Sequence, residues 1–279
     1  MGARSRKKLM GDLPLAYLEA ADSRHRAGGS YFDAARERAA ALGYKLERID
    51  LDTWESVHRI WDVLYAQGYG GILIAGVRSD NHPLLLSNKR FPVVCCGRVD
   101  ALPFHTVRPA ILPAMKKAFE EITRKGYRKI GAAVLRHDPP VEDDFIRLSA
   151  ALGCLHELGP EHARIPPLCH CALEGGETVK KWIHQYHPDV VLAFHDGIQT
   201  DILDAGFRIP EDIAFASLHR DPRAFNAGLD QNFNIIANAA VNLLDQLIRS
   251  GELGIPKNPL SITVESTWYD GPTLPQKGA

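Results

Sequence analysis

The apolar positions of this chain follow two alternating patterns. Stretches with an apolar residue every three or four positions read as one-sided helices, and short unbroken apolar runs read as strands buried on both faces. Phe32, Ala35, Ala39 and Leu42 share a helical face, the pattern stops at Gly43-Tyr44, and residues 45–51 read as a strand. The same grammar returns. Val57, Ile60, Trp61 and Leu64 lead to Gly68-Tyr69 and a strand over 72–75; Leu112, Met115, Phe119 and Ile122 lead to Gly126-Tyr127 and a strand over 129–135; a fourth, short helix ends at Gly206-Phe207. A glycine just past a helix takes the left-handed conformation, and the aromatic after it can pack back on the last turn.

Runs such as Ile72-Leu73-Ile74-Ala75, Val93-Val94-Cys95-Cys96 and Val190-Val191-Leu192-Ala193-Phe194 are continuous rather than alternating, as central parallel strands are. The pattern therefore predicts an α/β chain with doubly wound parallel sheets. About four repeats stand on either side of Thr106-Val107-Arg108-Pro109, more than one lobe of ordinary size holds, so two sheets are expected. A late helix over 235–248 should turn Ile236, Ala240, Leu243, Leu244 and Leu247 inward.

Length and charge narrow the function only a little. The chain has 279 residues, enough for two domains of roughly 150 residues each. Its formal net charge of -1 lacks the basic surplus of a free-standing nucleic-acid binder. The exception is Arg4-Ser5-Arg6-Lys7-Lys8, which reads either as a solvated terminus or as the remnant of a tether. Residues 1–11 are assigned to a basic, disordered tail. The five cysteines, an odd number in a chain without disulfide-scaffold composition, suit a reducing compartment. No stretch approaches the roughly 20 apolar residues of a membrane span, and no secretory signal is legible. The expected location is cytoplasmic.

Ligands in open parallel sheets bind beyond the carboxyl ends of the strands. That rule selects Asp22, Arg78 in Val77-Arg78-Ser79, Arg98 after Gly97, Arg136-His137-Asp138, His195-Asp196 and His219-Arg220. Arg98 could fork onto a carboxylate, phosphate or diol, or pair with Asp100 at the surface.

Order and spacing add a family resemblance. A strand over 190–194 is followed by His195-Asp196, a short helix, Gly206-Phe207-Arg208-Ile209-Pro210-Glu211-Asp212, a strand over 213–217, Leu229-Asp230-Gln231 and a long amphipathic helix. This succession resembles the ligand-sensing domain of LacI/GalR-type transcriptional regulators, and the likeness runs from about Asp12 to Asp270. It implies a periplasmic-binding-protein-like fold: two lobes, 12–106 with 229–250 and 107–228 with 258–274, joined by a hinge of several crossovers. The late helix would complete the first lobe, and Ser261–Val264 would return to the second.

The resemblance implies a receptor rather than a catalyst. A small polar effector, a sugar or sugar derivative, would be held between the lobes, and a homodimer would alter its DNA affinity. DNA contact would come only through a helix-turn-helix headpiece; only Met1 to Gly11 stand where the family places it. Asp196 matches the family's ligand-binding aspartate, although an aspartate there also suits helix capping. His195 replaces the family's asparagine. Gln231 matches a late polar residue that could touch ligand or satisfy crossover backbone. The family's effector-contacting arginine falls on or near Asp144, with Arg147 one turn later as its substitute. Ser217-Leu218-His219-Arg220 stands in place of Gly-Phe-Asp-Asp, so the effector cannot be copied from a known sugar repressor.

Rival readings are an exported sugar-binding protein and, less strongly supported, an enzyme on the same fold. The chain carries no Gly-x-Ser-x-Gly, phosphate loop, His-Glu-x-x-His or dinucleotide fingerprint, so no catalytic residue and no cofactor is expected. His162, Cys169, His170 and Cys171 have poor spacing for zinc, and no metal is expected.

Overall fold

The computed structural model describes residues 13–19, 31–51, 59–76, 82–97, 102–138, 140–171, 176–195, 197–221, 223 and 225–278. They form two compact units. The first ends at Pro109 and resumes over Asn232–Val264; the second covers Ala110–Gln231 and resumes at Glu265. The chain thus passes between the units three times.

The first unit contains β1 (Leu13–Glu19), α1 (Tyr31–Ala41), β2 (Tyr44–Asp50), α2 (Ile60–Ala66), β3 (Gly71–Ile74), α3 (His82–Leu85), β4 (Val93–Cys96) and β5 (His105–Pro109). The second contains α4 (Ile111–Arg124), β6 (Ile130–Arg136), α5 (Glu142–Glu157), β7 (Leu168–Cys171), α6 (Gly176–Tyr186), β8 (Val190–Ala193), α7 (Gly197–Asp204), β9 (Ala214–Ser217) and β10 (Ala227–Asp230). Then α8 (Phe233–Ser250) and β11 (Ser261–Val264) return to the first unit, and β12 (Thr267–Tyr269) to the second.

The first sheet has the order β11-β5-β4-β3-β1-β2 with every pairing parallel. Successive residues of a strand point to opposite faces, and β1 shows the result. Leu15 and Tyr17 pack with Ala35 and Ala39 of α1 and Ile236, Ala240 and Leu244 of α8. Ala16 and Leu18 pack on the other face with Ile60, Trp61 and Leu64 of α2 and Leu85 of α3. The second sheet, β12-β10-β9-β8-β6-β7, is parallel except at β12, which runs antiparallel to β10. Met115, Phe119 and Ile122 of α4 with Ala151 and Leu155 of α5 cover one face. Val179, Trp182 and Ile183 of α6 with Ile198 and Ile202 of α7 cover the other. Both sheets are doubly wound, and each fully buried leucine, such as Leu15 or Leu244, stabilises its unit by about 2 kcal/mol.

The repeated helix-glycine-aromatic signal is a repeated piece of backbone. Gly43, Gly68, Gly126 and Gly206 have φ of 86°, 80°, 90° and 92°. The aromatic N–H after three of them closes onto the carbonyl five residues back: Tyr69 to Leu64 at 3.1 Å, Tyr127 to Ile122 at 3.4 Å and Phe207 to Ile202 at 3.3 Å. Carbonyls left unpaired at a helix end gain donors, and the aromatic is drawn to the next strand. The Tyr44 hydroxyl donates to Asp245 of α8 at 2.6 Å, tying β2 to the late helix.

Several expectations need correction. Ser261–Val264 pairs with β5 in the first sheet, register Ser261 to Thr106, and it is β12 that enters the second sheet. The first lobe runs to Pro109 rather than 106, because Val107 lies mid-strand in that core, opposite Cys96 and Ile262. Leu229 to Gln231 belong to the second unit, where Leu229 is fully buried. Leu112 is exposed, whereas Met115, Phe119 and Ile122 of the same predicted face are buried. Val57 lies outside the described residues.

Two glycine substitutions separate backbone strain from collision. A Cβ on Gly206 would meet nothing within 4 Å, so Gly206→Ala is expected to cost only the left-handed penalty of about 1 kcal/mol. A Cβ on Gly228 would stand 2.1 Å from the Ser217 carbonyl oxygen, so Gly228→Ala should cost several-fold more or abolish folding of the second unit. Urea unfolding of both variants checks this; equal losses would contradict it.

Candidate functional site

The carboxyl ends of β6, β8 and β9 carry a linked polar arrangement in the second unit. Asp144, third in α5, is its centre. Its carboxylate accepts the His137 backbone N–H at 2.8 Å, the Val141 N–H at 3.1 Å, the His137 imidazole at 2.7 Å and the Arg147 guanidinium at 3.0 Å. The reach back to Val141 caps the helix, a role open to a carboxylate at the third helical position. Because an ionised carboxylate only accepts, His137 carries its proton on Nδ1. Burial alone would push the Asp144 carboxyl up; the His137 N–H and imidazole, then the Val141 N–H, outweigh it and hold it below the usual range.

Arg147 is itself buried, 5% exposed. Its second arm lies 3.5 Å from Asp143, and its guanidinium carbon sits 3.7 Å from the centroid of the Phe194 ring. Placed one and a quarter turns apart or less, Asp143, Asp144 and Arg147 meet on one side of α5. Phe194 follows β8, and its ring also meets His219, beyond β9, at 5.8 Å between centroids. A continuous line of contacts thus runs from His137 through Asp144, Arg147 and Phe194 to His219, across three strand ends.

The other predicted residues fall as follows. His195 lies two residues after the end of β8, and its Nδ1 accepts the Gly197 N–H at 3.0 Å, so it caps the start of α7. Gln231, just after β10, donates to the Leu218 carbonyl at 3.2 Å and so satisfies backbone leaving β9. Arg220 donates to the Asn226 carbonyl at 2.9 Å and lies over Tyr269, 4.9 Å from the centroid. Asp22, Arg78, Arg98 and Asp196 lie outside the described residues. The second unit therefore brings Arg147 close to the β8 end that carries His195, while Gln231 leaves from β10.

Two residues escaped the reading of the sequence. In sequence Phe194 reads as the end of a strand, and an aromatic closing an apolar run of smaller residues is the available signal. Glu19 ends β1 of the first unit, buried at 5% exposure, with Arg48 Nε 3.1 Å from its carboxylate. Arg48 also covers the Phe32 ring at 4.1 Å, and Tyr17 meets that ring edge-on at 5.2 Å. Burial, then the neighbouring Cys96 and Glu19, holds the Tyr17 hydroxyl far above the usual range, so it stays protonated. A lone acid closing the run Leu13-Pro14-Leu15-Ala16-Tyr17-Leu18 was the signal for this second polar strand end. Among the described residues no three His, Cys, Asp or Glu side chains gather as a metal-binding set.

No protein-family model and no curated protein matches the chain. Solved structures do. A LacI transcriptional regulator from a Rhodococcus species aligns with a TM-score of 0.67 at 19% identity, over 95% of this chain and 98% of that one. A complex of the transcriptional regulator CelR with cellobiose aligns at 0.71 and 15% identity, over 97% and 89%. The lac repressor dimer bound to operator and the anti-inducer ONPF aligns at 0.70 and 16% identity, over 99% and 86%. The chain therefore has the two-lobed α/β fold of LacI-family regulators over nearly its whole length.

Asp144 gives this site a defined acid response. Its lowered carboxyl contributes stability that is present above its ordinary value of 3.8 and is lost as pH falls through the lower folded value. Asp144→Ala leaves Arg147 with Asp143 and strips two backbone N–H groups of their acceptor, so a loss of about 3 kcal/mol is expected near neutral pH. Urea unfolding at about pH 7 and about pH 3 should show that difference shrinking in acid; an equal difference at both would contradict the role given to the carboxylate.

Proposed function

We infer that this chain is the ligand-sensing and dimerisation portion of a LacI/GalR-like transcriptional regulator. The observation that carries the reading is the match of fold across almost the whole length to such regulators, one of them solved with cellobiose and one as a dimer on its operator. The effector is a small polar molecule, a sugar or sugar derivative, met at the carboxyl ends of the strands. Asp196 and His195 after β8 supply polar contacts, Arg78, Arg98 and Asp22 follow strands of the first unit, and Gln231 marks the crossing into α8. Arg147 acts from beneath: pinned by Asp143 and Asp144, it fixes the ring of Phe194. The protein works by binding, without turnover, and DNA is contacted by a headpiece rather than by residues of the two sheets.

Signalling in this reading is a difference in effector affinity between two states of the protein, since a ligand that binds both equally shifts nothing. Dimerisation has a candidate surface. Leu203 of α7 is 50% exposed and Phe225 is 84% exposed. Asn226, next to Phe225, donates to Gln199 of α7 at 2.6 Å, one turn before Leu203 on that helix. No helix among the described residues is long and apolar enough to cross a membrane; a regulator of this kind acts in the cytoplasm.

A thermal-shift panel of sugars, sugar acids and sugar phosphates, cellobiose included, tests the sensor. A ligand at about 100 times its Kd raises stability by about 2.7 kcal/mol. The expected result is a hit weakened at least roughly tenfold by Asp196→Ala and by Phe194→Ala, with the ligand recovered unchanged. Conversion of the ligand would make the chain an enzyme, and a hit indifferent to both substitutions would move the site elsewhere.

Dimerisation is tested separately by light scattering. Phe225→Asp is expected to shift the protein from dimer to monomer while its thermal unfolding stays within a few degrees of the parent. A parent that is monomeric at tens of micromolar would end this part of the reading.

A further inference from the structure

His105 opens β5 and joins three segments of the first unit. Its side chain is buried, 6% exposed. Nε2 lies 2.8 Å from the Glu252 carboxylate, and Nδ1 accepts the Leu260 backbone N–H at 3.0 Å. Glu252 is placed by the end of α8: Gly251 takes φ of 71°, and the Glu252 N–H closes onto the Leu247 carbonyl at 3.1 Å. Leu260 directly precedes β11, and its carbonyl accepts the Thr106 N–H at 2.8 Å, the first rung between β11 and β5. One imidazole therefore closes the segment from Glu252 to Leu260 at both ends.

The chemistry of these partners fixes a single protonation state. A backbone N–H can only donate, so Nδ1 must offer a lone pair; an ionised carboxylate can only accept, so the ring proton sits on Nε2. The doubly protonated ring has no lone pair for Leu260. Glu252 would hold the imidazolium more tightly, while Leu260 would be left facing a second N–H. Proton uptake thus strengthens one arm of the bridge and breaks the other. The remaining neighbours do not offset this. On β4, Val94 is the register partner of His105, and the Cys95 thiol beside it is pushed up to about 12 by burial and stays uncharged. On β11 the adjoining Ser261 and Ile262 carry no charge. Glu252 is the charged group that the described structure sets against the ring.

We propose that His105 is a proton-sensitive latch that holds the start of β11 on β5 and releases it when the ring takes up a proton. β11 is a four-residue edge strand whose one described neighbour is β5, and it is the last element before the third passage between the units. Release at Leu260 loosens that passage at its anchored end, giving the first unit a response to acid that needs no effector.

Hydrogen exchange followed from about pH 8 to about pH 5, corrected for intrinsic rates, tests the latch in the full chain. Protection of peptides covering Leu260–Val264 should fall roughly tenfold in acid, the effect of one lost hydrogen bond. His105→Gln can still accept from Leu260 and donate to Glu252 but takes up no proton, so its profile should be flat. His156→Gln, on the exposed side of α5, should keep the parental step. A flat parental profile, or the same step in His105→Gln, overturns the proposal. Should His105→Gln not fold, nitrogen chemical shifts of the His105 ring in the parent decide: the Nε2–H tautomer at neutral pH is required, and an Nδ1–H tautomer refutes the latch.

Discussion

The constraint on which this structure depends is the parallel pairing of its strands. Parallel neighbours cannot be joined by a tight hairpin, so the chain needs longer crossovers, and here helices cover both faces of both sheets. A strand buried on both sides tolerates little polarity along its length, which is why β3, β4 and β8 are apolar throughout. Polar side chains are displaced to the strand ends. Glu19 closes β1, Ser217 closes β9, and His195 follows β8. The site chemistry is thus a by-product of how the sheets must be covered.

That constraint also explains what could be read in advance. The helix-glycine-aromatic signal at Gly43, Gly68, Gly126 and Gly206 is local, set by a backbone conformation and one short-range hydrogen bond, and it survives in any tertiary context. The inward face of α8 was equally legible, since Ile236, Ala240, Leu243, Leu244 and Leu247 are all buried as its periodicity demands. The edge strands were not. Ser261-Ile262-Thr263-Val264 is a short segment whose partner is more than 150 residues away, and its own pattern is largely exposed, so nothing local assigns it to one sheet rather than the other.

The candidate site was half legible for a related reason. The rule of strand ends points to neighbourhoods in the sequence, but the role of a charged residue there depends on partners brought from elsewhere. The resemblance makes Arg147 a ligand contact; in the structure Asp143 and Asp144, second and third in α5, and the ring after β8 hold its buried guanidinium. Asp143, Asp144 and Arg147 had the spacing of helical ion pairs in plain view, whereas Phe194 beneath the guanidinium did not. Asp144, with four donors, has little acceptor capacity left for any further partner.

The two edges of the first sheet show how the same fold handles unpaired backbone differently. An open edge invites pairing with other chains, and charge is a common guard. β2 presents Lys45, Glu47, Arg48 and Asp50 along seven residues. β11 has no charge in its four residues and leaves Ile262 exposed. Its shortness limits what it can template, but shortness also leaves it few rungs of its own. The His105 bridge supplies the missing anchorage by fastening the segment before β11 to the cap of α8, so that a strand too short to hold itself is kept in register by one side chain.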